Sequence, residues 1–181
     1  LRLWREVLER IPRARLAFSP NTAALQASFV RLALAAGIAR ERLALIPLGR
    51  DEQQNQARYT VVDAVLDPMP FGGVNGTLEA LDMGVPVVTL CGGRHGERTS
   101  YSILANLGVT ETVATTGPEY VNLAVRLADD ASFMRQLRDR IRAGLARSPL
   151  TDMAAHTRNL EAAYRLAMQA DARPGVTAVT A

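Results

Sequence analysis

The residues best suited to chemistry lie in one run, Pro70-Phe71-Gly72-Gly73-Val74-Asn75-Gly76-Thr77-Leu78-Glu79. It follows the apolar stretch 61–66 and precedes Met83-Gly84-Val85-Pro86 and a second apolar stretch, 87–90. The pattern reads as strand, glycine loop, helix, Gly-Pro turn, strand. A glycine loop that opens a helix can hold an anion. Small residues let a phosphate approach the backbone, and the helix start offers free N–H groups with a partial positive charge. The backbone amides around Val74, Asn75, Gly76 and Thr77, with Gly73 ahead of them, form the candidate diphosphate cradle. The side chains of Asn75 and Thr77 add donors, and Glu79 is placed to accept hydrogen bonds from a ribose. The spacing points to a nucleotide-sugar site. The bland alternative is a plain strand-to-helix turn, with Asn75 as N-cap and Glu79 as a solvated acid.

A second polar segment, Gly92-Gly93-Arg94-His95-Gly96-Glu97-Arg98, follows the next strand and so falls on the same edge. Arg98 or Arg94 can approach a phosphate there, and His95 a base or a donor sugar; a flexible polar loop is the alternative. Asp67 reads equally as a second group behind the site or as a strand-end cap. Cys91 reads as a small residue at a strand end, and His156 as a solvated or structural residue of a terminal helix. No carboxylate pair stands out as an acid/base couple and no Ser-His-Asp order is persuasive. The P-loop lysine is missing and the first strand-to-helix turn carries no G-x-G-x-x-G, which excludes P-loop ATP hydrolysis and argues against a dinucleotide dehydrogenase.

Behind these residues stands a chain of 181 residues, the length of one domain or one lobe of a larger protein. With 48% hydrophobic and 22% charged residues it can bury a globular core. All 21 basic residues are arginine, as expected of a GC-rich genome, so no lysine of this chain can clamp a phosphate or form a Schiff base. Aromatics at 5% and scattered arginines argue against a nucleic-acid surface. One cysteine excludes an internal disulfide and two histidines argue against a zinc cluster, so no metal site is expected and a cytoplasmic location is. No apolar run is long enough to predict a membrane span. The abrupt amphipathic start at Leu1 predicts a lobe cut from a longer polypeptide.

Apolar periodicity predicts the elements that position the two loops. Leu3, Trp4, Val7, Leu8 and Ile11 share one helix face, closed by Pro12. Strands are expected at 14–18, 43–47, 61–66 and 85–90, with a weak edge strand at 112–114. Helices are expected from a cap at Asn21 or Thr22 to Gly37, at 51–58, after the glycine run, at 97–107, from Pro118 to 128, at 132–146 and at 152–169. Strands of about five residues alternating with longer helices predict α/β: a Rossmann-like, mostly parallel sheet with helices on both faces. Ligands of such sheets sit at the carboxyl ends of the strands, where both loops fall. The lobe is expected to span 1–170, with a disordered Ala/Pro/Gly/Thr-rich tail at 171–181.

Taken together, Leu3-Trp4-Arg5-Glu6-Val7-Leu8-Glu9-Arg10-Ile11-Pro12, Val62-Asp63-Ala64-Val65-Leu66-Asp67, the glycine run, Gly84-Val85-Pro86-Val87-Val88-Thr89-Leu90 and Leu104-Ala105-Asn106-Leu107-Gly108 resemble the C-terminal catalytic lobe of the O-GlcNAc-transferase-like glycosyltransferases. That group includes SPINDLY-type proteins and bacterial adhesin N-glucosyltransferases, and the likeness runs from about Leu3 to Met168. The resemblance implies the second lobe of a GT-B fold, a UDP-GlcNAc or UDP-glucose donor, a protein side chain as acceptor, and no metal or other cofactor. It places Asn75, Gly76 and Thr77 at the diphosphate and Glu79 at the ribose. The family's histidine and two threonines are replaced here by Val74, Asn75 and Gly76, and its aspartate by Glu79. Its histidine-bearing segment reads Gln53-Gln54-Asn55-Gln56, and its lysine before the first helix falls upstream of Leu1. The partner lobe, with the acceptor groove and any general base, is outside this chain, so the chain alone is expected to be inactive. A degenerate lobe serving as a protein-interaction module, and a GT-B enzyme acting on a glycan or lipid, remain the alternatives.

Overall fold

The structure is a computed structural model that describes residues 1–19, 22–47 and 49–171. Asn21, and the expected tail beyond residue 171, lie outside the described residues. In chain order the elements are α1 (Arg2–Arg10), β1 (Leu16–Phe18), α2 (Ala23–Ala35), β2 (Leu43–Leu45), α3 (Glu52–Ala57), β3 (Val65–Leu66), α4 (Asn75–Asp82), β4 (Val87–Leu90), α5 (Thr99–Leu107), β5 (Val113–Ala114), α6 (Gly117–Asp129), α7 (Ala131–Leu145) and α8 (Met153–Asp171). Single 3₁₀ turns cover Arg40–Arg42, Arg58–Val61 and His95–Glu97.

Every strand pairing is parallel, as strand–helix alternation requires. The strands form two hydrogen-bonded ladders, β1–β2 and β3–β4–β5, instead of the single sheet expected from sequence. Side-chain packing joins the two halves: Val7 of α1 and Ile11, just after it, bury against Val121 and Ala124 of α6, with Ala14 and Leu66 at the edges of the same cluster. The larger core surrounds β4, whose Val87 and Val88 are fully buried beneath α4, α5 and α6, and α7 closes over Leu81 and Leu104. Burying a leucine or valine of this kind stabilises the fold by about 1.5–3 kcal/mol.

The third strand is shorter than its apolar run. Residues 61–64 stay outside the ladder and Val61 is exposed. The cause is Pro86, which precedes β4: its carbonyl accepts the Val65 N–H at 2.8 Å, but it has no N–H to return. Regular pairing therefore begins at Val65 opposite Val87.

Helix ends follow local chemistry. Thr22, Asp51, Thr116 and Asp130 cap α2, α3, α6 and α7 through side-chain oxygens. Gly108 ends α5 at φ +72°, a left-handed turn that disfavours residues with a Cβ. Arginines plug three carboxyl ends. Arg42 donates to the carbonyls of Leu8, Ile11 and Ala14 after α1, Arg13 to Ala128 of α6, and Arg140 to Gly108 after α5. The Leu8 and Ala128 carbonyls are orphan acceptors of the last helical turn, at the negative pole.

Candidate functional site

The glycine run occupies the carboxyl edge of β3 and β4. Asp67 directly follows β3 and is only 4% exposed. Its N–H extends the ladder to Val88 at 2.9 Å. One carboxylate oxygen accepts the Gly73 N–H at 2.8 Å, and the other accepts the Thr89 hydroxyl at 2.7 Å. Its carbonyl accepts the Tyr120 hydroxyl at 3.1 Å, which in turn accepts the Trp4 indole N–H at 3.1 Å. Burial pushes the Tyr120 phenol up; the Trp4 hydrogen bond opposes this and the Asp67 charge adds to it.

On the other side of the loop, the Ser100 hydroxyl donates to the Gly73 carbonyl at 3.0 Å and lies 2.9 Å from the Thr77 hydroxyl. Thr77 must therefore be the donor in that pair. It is 2% exposed, so its hydroxyl is turned into the protein rather than toward a ligand as the sequence suggests, and its N–H finds no acceptor among the described residues. Gly72 and Gly73 are small for an inward reason as well. A Cβ on Gly73 would sit 2.6 Å from the Thr77 hydroxyl, and one on Gly72 2.9 Å from the Thr99 hydroxyl and 3.0 Å from the Asp67 carboxylate.

Above this packed underside, α4 begins at Asn75 with no side chain capping it. The Leu78 N–H is the first to return to the backbone, at Val74. The N–H groups of Val74, Asn75, Gly76 and Thr77 find no acceptor among the described residues. Four consecutive free donors at a positive helix pole make an anion cradle. Asn75 is the first helical residue rather than the N-cap, a position Val74 occupies, and its side chain is exposed and unbonded among the described residues.

Glu79 lies one turn further along, with its carboxylate held from the side. Arg58 contacts Glu79 Oε2 at 2.7 Å, and the Tyr59 hydroxyl lies 3.1 Å from both that oxygen and the Gly76 carbonyl. Burial alone would lower the Arg58 pKa, but the Tyr59 hydroxyl and the Glu79 charge outweigh it and raise it. Glu79 Oε1 has no partner among the described residues.

The second loop adjoins the first. Gly72 N–H donates to the Gly96 carbonyl at 2.9 Å, and the Phe71 ring lies against Gly96. His95 opens the 3₁₀ turn and Arg98 precedes α5; both are exposed, with no side-chain hydrogen bond among the described residues. A cavity of about 330 Å³ opens beside Asp67, between Trp4, Met69, Leu90 and Tyr120. No group of three or more His, Cys, Asp or Glu side chains is placed to hold a metal among the described residues. None of the described helices is long and apolar enough to cross a membrane.

The sequence model of Glycosyl transferase family 41 matches residues 1–160. The chain belongs to that family. A probable UDP-N-acetylglucosamine–peptide N-acetylglucosaminyltransferase SPINDLY of Petunia hybrida is 34% identical over 168 residues, which are 91% of this chain and 18% of the relative. The UDP-N-acetylglucosamine–peptide N-acetylglucosaminyltransferase of Caenorhabditis elegans is 27% identical over 161 residues, 89% of this chain and 14% of the relative. Among solved structures, a lysine-to-methionine mutant of the Thermobaculum terrenum O-GlcNAc transferase superimposes with a TM-score of 0.82 and 35% identity, over 91% of this chain and 32% of that one. The family 41 chain described here thus spans about a fifth of the length of its plant relatives. The family resemblance read from the sequence holds, as does its α/β lobe of the GT-B kind.

Several groups of this family 41 site were not selected from sequence. Thr89, Ser100, Tyr120 and Trp4 lie 22 to 116 residues from their partners, and no local pattern announces them. Arg58 ends the stretch that reads as a polar helix at 51–58, and Tyr59 falls between it and the strand expected at 61–66. Asp67 alone carried a signal, an acid directly after a strand at the ligand edge.

Proposed function

We propose that this chain is the donor-binding lobe of an inverting protein glycosyltransferase. It holds UDP-GlcNAc or UDP-glucose for attack by a protein side chain. The observation that carries the reading is the row of free N–H groups from Val74 to Thr77 at the head of α4. Donors already aligned, with the helix pole behind them, balance diphosphate charge without reorganising and offset the charge that develops on the leaving UDP. That is how a site of this kind works without a metal, and no metal or other cofactor is assigned to it. Asn75 adds a side-chain donor at the same place. Glu79 is pre-aimed by Arg58 and Tyr59 and offers Oε1 to the ribose hydroxyls. His95 and Arg98 stand on the neighbouring loop, where a base, sugar or phosphate can meet them.

The relatives' names supply the substrate class: one is named a UDP-N-acetylglucosamine–peptide N-acetylglucosaminyltransferase and the other a probable one. A GT-B reaction takes place between two lobes, so this chain alone binds donor without transferring sugar, and the acceptor and its base belong to a partner lobe of the same polypeptide. A cytoplasmic setting fits the free Cys91. Calorimetric titration with UDP is the direct test. Saturable heat that falls sharply with Asn75→Ala and Glu79→Ala is expected; no heat at millimolar UDP from folded protein contradicts the reading.

A further inference from the structure

The buried carboxylate beneath the glycine loop has no cationic partner among the described residues. Asp67 is 4% exposed and spends both oxygens inside the protein, on Gly73 N–H and Thr89 Oγ1. Both oxygens are thus already engaged by the protein itself. Burying a carboxyl group under an anion site costs free energy, and any negative charge on it repels the anion. Its presence there calls for a compensating gain.

That gain is geometric. Three separate elements are drawn onto the first residues of the loop. Thr89 of β4 fixes one carboxylate oxygen, Tyr120 of α6 fixes the Asp67 carbonyl, and Ser100 of α5 holds the Gly73 carbonyl. Gly73 is thereby gripped at both its N–H and its C=O, immediately before the four free N–H groups. A loop gripped in this way presents its donors already ordered, and the ligand does not have to order them on binding.

We propose that Asp67 is a positioning residue for the nucleotide: its carboxylate, anchored by Thr89, sets the path of residues 73–77 and so the aim of their N–H groups at a diphosphate. The inference rests on the donor-binding reading above.

The test compares UDP affinity with stability in the same variants. Asp67→Ala removes both acceptors; UDP then binds at least about tenfold more weakly, the loss expected for one charge-assisted hydrogen bond. Asp67→Asn keeps an oxygen for Gly73, and its amide can donate to Thr89, so affinity stays within about threefold of the unaltered chain. Leu43→Ala empties a buried site in the β1–β2 half; it lowers the unfolding midpoint and leaves UDP affinity unchanged. Should Asp67→Ala fail to fold, Thr89→Val frees the second oxygen alone and weakens UDP by a smaller factor.

Unchanged affinity in Asp67→Ala or Thr89→Val overturns the proposal. So does an affinity loss in Leu43→Ala that matches Asp67→Ala at equal destabilisation, because the role would then be structural only. Equal losses in Asp67→Asn and Asp67→Ala overturn the hydrogen-bond geometry. An unaltered chain that ignores UDP removes the donor reading and this inference with it, a result distinct from binding that survives Asp67→Ala.

Discussion

The loops after β3 and β4 are built from the same residue types, a glycine pair followed by polar residues, yet they are held in opposite ways. The first, at 70–74, lies on a buried polar underside made of Asp67, Thr89, Ser100 and Thr77. The second, at 92–98, is braced mainly by its own Glu97, which accepts the Arg94 N–H at 3.0 Å, and by the backbone contact from Gly72. A Cβ on Gly73 would collide with the buried Thr77 hydroxyl, whereas in the second pair one on Gly92 would meet the loop's own Glu97 and one on Gly93 nothing within 4 Å. The first loop is thus a preset element whose outer amides can bind without rearrangement. The second presents Arg94, His95 and Arg98 as exposed side chains, with no comparable buried network beneath them among the described residues.

Substitutions break this contrast at graded positions. Gly73→Ala carries the largest effect. Its Cβ must displace the buried Thr77 hydroxyl, which costs about 1–3 kcal/mol of stability and tilts the cradle, so UDP affinity also falls. Urea unfolding together with calorimetry reads both, and a variant unchanged in both refutes the rigid underside.

Tyr120→Phe comes next. It leaves the Trp4 N–H and the Asp67 carbonyl without their partner at a buried site, a loss of about 1–2 kcal/mol. It also alters the alkaline response. The Tyr120 pKa is raised on folding, so its contribution is intact below the unfolded value of about 10 and is lost as pH rises above it. Stability measured from pH 8 to 11 should fall less steeply in Tyr120→Phe than in the unaltered chain.

The second loop should respond weakly. Glu97→Ala removes one partly exposed brace, for a loss of about 0.5–1 kcal/mol. Gly93→Ala sits at the bottom of the scale, within about 0.5 kcal/mol of the unaltered chain and with the same UDP affinity. A large effect of Gly93→Ala would mean that the second loop is as fixed as the first, and the contrast would be lost.

Element types were legible because each rests on short-range chemistry. The Leu3, Trp4, Val7, Leu8 stripe placed α1, the Thr22 and Asp51 caps started α2 and α3, and Gly108 ended α5. The misreading of 61–66 as one strand has a matching cause. Apolar character was visible, but the ladder depends on a partner in which Pro86 withholds a donor. The same holds for Thr77: next to the glycines it looked like a ligand contact, and only the approach of Ser100 from α5 turns its hydroxyl inward.

The sequence by itself determined the family, the strand–helix alternation and the loop that opens α4, because periodicity, caps and turn residues act over a few positions. Tertiary structure alone decided what the loop rests on. Asp67, Thr89, Ser100, Tyr120 and Trp4 meet only after the β3–β4–β5 ladder and three helices, α1, α5 and α6, have packed. A buried hydrogen-bond network depends on that convergence, since each partner is separated from the next by a stretch of chain that carries no record of the contact.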